Sequence, residues 1–130
     1  FDDRFFVPHS RHTSLNLKDL AAVPALRVLA SGRRTGPFLL STENGRQIFV
    51  TGHPEYDLLT LDAEYRRDLE KGLEISVPEN YYPSDDPAQR PINRWRSHAH
   101  LLYHNWLNYY VYQTTPYDLE ELSPLAGEPR

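Results

Sequence analysis

The 130-residue chain contains no cysteine and no methionine. Without cysteine there is no disulfide, no thiolate metal ligand and no cysteine nucleophile within these residues. Net charge is small. A formal value of −4 gives no overall electrostatic case for nucleic acid. No apolar run approaches the ~18–20 residues of a membrane span, no secretory leader is visible, and mean hydropathy is low at −0.65. These absences are compatible with a cytosolic protein. Internal repeats and low-complexity tracts are lacking too. The length permits one small domain with a core of its own. The chain opens Phe1-Asp2-Asp3-Arg4-Phe5-Phe6, without an initiating methionine, and is expected to be a fragment of a longer protein.

What is present is an uncommon balance of 11 prolines and 9 tyrosines, arranged in a readable order. Residues 1–13 read as a loop with at most one short strand. Ser14 or Asn16 can cap a short helix through Ala22, stopped by Pro24. Leu26 to Ala30 reads as a strand and Ser31 to Gly36 as a turn. Phe38 to Ser41 and Arg46 to Thr51 read as two strands joined by Glu43-Asn44-Gly45, a hairpin signal. From Thr60 the period becomes helical, with Leu61, Tyr65, Leu69 and Leu73 at four-residue steps and Thr60 or Asp57 available as caps. Val77 to Pro91 has no period, and an irregular segment of that length is expected to be functional or a linker. Trp95 to Tyr112 reads as a second helix with Leu102, Trp106, Tyr109 and Tyr110 on an apolar face, ended by Pro116. Strands followed by helices predict an α/β or α+β chain. Two main helices are few for three strands, which again suggests that part of the domain lies elsewhere.

The chemistry concentrates in Thr51-Gly52-His53-Pro54-Glu55-Tyr56-Asp57, just past the apolar run Gln47-Ile48-Phe49-Val50. In extended backbone, residues two apart point to the same side. His53 and Glu55 therefore set an imidazole beside a carboxylate, a pair that can orient and support a general base. A nucleophile is missing, since there is no cysteine and no serine in a Gly-x-Ser-x-Gly elbow. On the residues alone, His53 and Glu55 could equally be an ordinary hydrogen-bonded pair at a strand end. Tyr56 and Asp57 read as packing and helix-start residues.

His98, His100 and His104 invite a metal reading. On a helix, His100 and His104 share a face, but His98 and His100 are roughly opposite, and no His-Glu-x-x-His is present. No metal is expected. Trp95, Trp106, Tyr109, Tyr110 and Tyr112 read as core and contact residues instead of a stacking platform for bases. The Arg90-Arg94-Arg96 cluster is a candidate for receiving phosphate.

From Phe1 to about Leu122 the sequence closely resembles the homoserine O-acyltransferase family, the homoserine O-succinyltransferases and O-acetyltransferases of methionine biosynthesis. The anchors are Pro8-His9-Ser10-Arg11, the block from Val50 to Asp57, Trp95-Arg96-Ser97-His98, and the Trp- and Tyr-rich block from Asn105 to Leu119. The resemblance implies an α/β fold of the class I glutamine amidotransferase-like (flavodoxin-like three-layer) type. Residues 1–121 would be the C-terminal portion of the catalytic domain and 122–130 a frayed tail. It implies His53 and Glu55 as two members of a Cys-His-Glu triad whose cysteine lies in a missing N-terminal half. It further implies Arg67 as the residue that binds homoserine, a guanidinium able to hold a carboxylate with two parallel hydrogen bonds, and Ser10 as a substrate-binding position involved in acyl-donor choice. The substrates would be L-homoserine and succinyl-CoA or acetyl-CoA, with succinyl favoured. Acyl-CoA would be a co-substrate, and no resident cofactor is implied. A cytoplasmic homodimer is the expected state of the whole enzyme, and the chain alone is expected to be inactive. The rival reading is a stand-alone, non-enzymatic binding or assembly domain derived from this fold. The presence or absence of a cysteine-bearing half before Phe1 in the gene separates the two.

Overall fold

The computed structural model describes residues 1–116 and 118. The expected frayed tail, 122–130, lies outside the described residues. The order is a one-turn helix α1 (Leu17–Ala21), strands β1 (Leu26–Gly32), β2 (Gly36–Thr42) and β3 (Ile48–Val50), then helices α2 (Thr60–Glu70) and α3 (Arg96–Trp106). A short 3-10 turn, Pro83–Asp85, lies between α2 and α3, and a π-helical stretch, Leu107–Tyr112, continues α3. The strands form an antiparallel sheet in the order β1-β2-β3. The chain is thus a small α/β arrangement built on a three-stranded antiparallel sheet.

Each element has a local cause. Asn16 caps α1, its side chain accepting from the Lys18 amide at 2.9 Å. Between β1 and β2 the register shifts after Val28, which pairs with Leu40 while Ala30 pairs with Leu39. Leu29 is therefore an extra, exposed residue of a bulge. Central strand β2 buries Pro37, Phe38, Leu40 and Ser41, as a strand covered on both faces must. The hairpin to β3 turns at Gly45, whose φ of +68° favours glycine. A Cβ there would also sit 2.4 Å from Tyr110 Cε1, so the turn doubles as a seat for that ring.

Helix α2 starts without a side-chain cap. Its N-cap position is Leu59, and neither Thr60 nor Asp57 caps through its side chain. The Asp57 backbone carbonyl instead accepts from the Thr60 amide at 3.2 Å. Only Leu61 and Tyr65 of the expected apolar stripe are buried; Leu69 and Leu73 are each 46% exposed. Along α3, Ala99 and Leu102 face inward. Of the aromatics read as core and contact residues, Trp95 is buried, while Trp106, Tyr109, Tyr110 and Tyr112 are exposed on α3 and its π-helical extension.

The core departs most from the sequence expectation. Leu61, Tyr65, Tyr81, Tyr82 and Trp95 form one cluster, with Tyr56, Leu58, Ile75 and Val77 against it. Two of its rings come from the irregular segment expected to be functional or a linker. Tyr82 is 1% exposed and meets Tyr81 edge-on at 4.7 Å. Buried hydroxyls need partners. Tyr82 donates to Asp62 Oδ1 at 2.7 Å, and Tyr81 donates to the Leu58 carbonyl while accepting from the Asp62 amide at 3.2 Å. These bonds fasten the irregular segment to the start of α2.

Candidate active site

The site is built where β3 ends. Thr51 prolongs the pairing with β2 through its amide to the Phe38 carbonyl at 2.9 Å and its hydroxyl to the Pro37 carbonyl at 2.6 Å. The chain then passes beneath residues 7–11. The His53 amide donates to the Pro8 carbonyl at 2.8 Å, and the Arg11 guanidinium reaches the carbonyls of Thr51 and Thr35. Gly52 is buried in the crossing. A Cβ on it would lie 2.9 Å from Val7 Cγ1, 3.0 Å from His9 Nε2 and 3.0 Å from the Pro8 oxygen.

His53 and Glu55 come together, not along extended chain as the spacing suggested but across a turn at Pro54–Glu55, closed by the Tyr56 amide on the His53 carbonyl at 3.2 Å. Nδ1 of His53 lies 2.8 Å from Glu55 Oε1, with the imidazole one-third and the carboxylate half exposed. Donation from Nδ1 to the carboxylate leaves Nε2 as the nitrogen with a free lone pair. The imidazole also stacks on Tyr56, with centroids 4.3 Å apart and planes 15° apart. Tyr103 on α3 lies close to Glu55; burial first, then that carboxylate, pushes its phenol up.

A second imidazole stands nearby that sequence reasoning did not assign a role. His9 is pushed down to about 4 by burial, by the Arg11 guanidinium and by His53. It is neutral at neutral pH, and its Nδ1 is buried without a hydrogen-bond partner among the described residues. Only its place in Pro8-His9-Ser10-Arg11 marked it in the sequence. Ser10 follows it, partly buried, in the same crossing segment.

Arg66 and Arg67 part company on α2. Arg66 grips both oxygens of Asp62 at 2.9 and 3.0 Å and donates to the Pro87 carbonyl at 2.9 Å, so it fastens the irregular segment. Arg67 is half exposed and bonded to Asp68 at 2.8 Å, and it interacts electrostatically with Glu64 and Tyr56. Glu64 accepts from the Tyr56 hydroxyl at 2.9 Å through Oε1, while its Oε2 is buried and unpaired among the described residues. Burial first, then the Glu64 hydrogen bond, pushes the Tyr56 phenol up to about 12. His53, Tyr56, Glu64 and Arg67 thus form a connected series. The sequence carried Tyr56 as packing and gave no sign of Glu64.

The three helix histidines go to separate places. His98 stacks on Phe1 and Phe5 and meets Asp2 at 3.2 Å, His100 is exposed, and His104 pairs with Asn108 at 2.8 Å. Among the described residues no three His, Cys, Asp or Glu side chains converge on a metal position. Of the three arginines offered for phosphate, only Arg94 lines a cleft of about 1120 Å³, where it sits over the Phe6 ring at 5.0 Å. That cleft borders His9 but not His53 or Glu55. Among the described residues no helix is long and apolar enough to cross a membrane.

The sequence profile of the homoserine O-succinyltransferase (HTS) family matches residues 1–117. The chain belongs to this family. Within it, the chain is 60% identical over 122 residues to a homoserine O-acetyltransferase of Desulfitobacterium hafniense (strain DSM 10664 / DCB-2), covering 94% of this chain and 40% of that protein. A homoserine O-acetyltransferase of Petrotoga mobilis is 54% identical over 122 residues, with the same coverage. One from Brevibacillus brevis is 57% identical over 119 residues, covering 92% of this chain and 39% of that protein. The chain therefore spans about 40% of the length of these homoserine O-acyltransferase relatives.

Proposed function

We propose that this chain supplies the base and the amino-acid-binding half of a homoserine O-acyltransferase, and that the whole protein transfers an acyl group from a coenzyme A thioester to the homoserine hydroxyl. The observation that carries the reading is the 2.8 Å His53–Glu55 pair at the strand end, in a chain of this family. Glu55 holds Nδ1–H, so His53 Nε2 is free to take a proton. The chain has no cysteine, so the nucleophilic thiol belongs to the part of the protein outside these residues. His53 takes the thiol proton, the sulfur attacks the thioester carbonyl, and coenzyme A leaves as the thiol after receiving that proton back. The homoserine hydroxyl then gives its proton to Nε2 as its oxygen attacks the acyl-enzyme, releasing the O-acyl product and the enzyme thiol.

The amino acid brings a carboxylate and an ammonium. Arg67 offers a fork for the first. The Oε2 of Glu64, unpaired among the described residues and one helical turn away, offers an acceptor for the second. Ser10, beside His9, takes a substrate-contact role in this reading. The relatives' names favour acetyl as donor over the succinyl that the sequence reading preferred. The reading keeps the glutamine amidotransferase-like fold, with the antiparallel sheet as the flank of a larger mixed sheet, an arrangement common in such folds. It also keeps a cytoplasmic location and a homodimeric whole enzyme.

The test assays the whole protein with homoserine and either acetyl-CoA or succinyl-CoA, following free coenzyme A. His53→Ala is expected to lower kcat/KM by about 10²–10⁴-fold, and the 130-residue chain alone to give no turnover. Undiminished activity in His53→Ala, or turnover by the cysteine-free chain, sinks the reading.

A further inference from the structure

Glu55 alone is a poor clamp for His53. One hydrogen bond to a half-exposed carboxylate leaves the imidazole free to rock about its Cβ–Cγ bond. The flat contact with Tyr56, at 4.3 Å and 15°, restrains that rocking. Tyr56 is itself held from several directions. Its amide donates to the His53 carbonyl at 3.2 Å, and its carbonyl accepts the indole N–H of buried Trp95 at 2.9 Å. Its hydroxyl donates to Glu64 Oε1 at 2.9 Å, and its ring packs against the core cluster.

We propose that Tyr56 is a positioning residue with two separable parts: a ring that fixes the plane of the His53 imidazole, and a hydroxyl that ties this shelf to the face of α2 carrying Glu64 and Arg67. The proposal rests on the reading of His53 as the base. It predicts that ring and hydroxyl can be removed with different kinetic signatures. The ring acts on proton transfer, where misplacement of a reacting group costs rate steeply. The hydroxyl acts on the helix that meets the amino acid, so its loss appears in substrate binding.

The test uses the whole protein carrying Tyr56→Leu or Tyr56→Phe. It measures kcat, the homoserine KM and the pH profile of kcat/KM, and records the ring ¹⁵N shifts of His53 by NMR. For Tyr56→Leu, kcat is expected to fall about tenfold. The His53 shifts should move toward a mixture of tautomers, and the profile should depart from that of the wild type. Tyr56→Phe is expected to keep the profile and the shifts while raising the homoserine KM about two- to tenfold. Wild-type kcat, profile and shifts in Tyr56→Leu overturn the shelf, and a wild-type homoserine KM in Tyr56→Phe overturns the tie. Should Tyr56→Leu fail to fold, Tyr56→Trp, which keeps a flat face, must retain the profile and shifts; their loss overturns the shelf. Absence of acyl transfer by the wild-type protein refutes the base reading, while the ¹⁵N arm still decides whether Tyr56 holds His53.

Discussion

Gly52→Ala puts the crossing beneath the site under direct stress. The added methyl would meet three atoms at 2.9–3.0 Å, all well inside ordinary contact. Val7 Cγ1 belongs to a stiff β-branched side chain, and the Pro8 oxygen is backbone and already accepts the His53 amide. Neither yields cheaply. Overpacking of this kind costs about 1–3 kcal/mol. Stiffening of the unfolded chain by alanine offsets about 0.4–1 kcal/mol of that. The net loss then lies between about 0 and 2.6 kcal/mol, centred on about 1.3 kcal/mol, read as a lower urea midpoint at unchanged slope. The relief route matters more for activity. Moving the Pro8 carbonyl moves its hydrogen-bonded partner, the backbone of His53. A displacement approaching 1 Å would lower kcat/KM of the whole protein by about 10²-fold. Adding Val7→Ala removes one of the three contacts and should recover part of the stability but little of the activity, because the Pro8 oxygen stays in place. A Gly52→Ala protein with the wild-type midpoint and wild-type kcat/KM would refute the reasoning.

The other expectations concern charge and core. His9 sits at about 4 in the fold against an ordinary 6.5, so between those values the unfolded chain binds the extra proton and stability must fall as pH is lowered through that window. His9→Gln should flatten the dependence of the denaturation midpoint on pH between about 6.5 and 4; an identical slope in the variant counts against a buried neutral His9. At still lower pH, Asp62 and Asp68, held down by Arg66 and Arg67, lose their contributions as they protonate. Tyr82→Phe removes the donor to Asp62 in the core and should cost about 1–2 kcal/mol in a denaturant titration, and no loss would mean that the bond is idle. Arg67→Ala should raise the homoserine KM of the whole protein about 10–100-fold. Arg66→Ala should lower stability and leave that KM near wild type, and reversed effects would exchange the assignments.

The sheet was legible because its signals are local. Asn44-Gly45 announced the hairpin, and the apolar strands around it left little choice of register. The His53–Glu55 contact was anticipated from a two-residue step in extended chain, but the fold makes it through a turn at Pro54–Glu55. The role of Tyr81 and Tyr82 was not, because a segment with no period says nothing about where its side chains go. That is decided by Leu58 and Asp62, some twenty residues earlier, which accept their hydroxyls. Leu69 and Leu73 misled in the opposite sense. Their spacing fits an apolar stripe, yet along α2 burial ends at Tyr65. His9 gains its meaning only from Gly52, more than forty residues on, whose missing side chain admits the imidazole. Glu64 stood among ordinary helix carboxylates until the fold set it against Tyr56.

The segment joining α2 and α3 is a loop by backbone and core by side chain. A protease that needs an extended stretch of chain cannot seize it at Tyr81–Tyr82 without drawing both rings out of the cluster they share with Trp95. Cutting there is therefore linked to opening of the whole core, whereas the exposed Arg33–Arg34 pair at the β1–β2 turn can be cut while the rest stays closed. Brief trypsin treatment would divide the molecule at its hairpin first, and at high protease the arrival of chymotryptic cuts after Tyr81 would clock the rate at which the core opens.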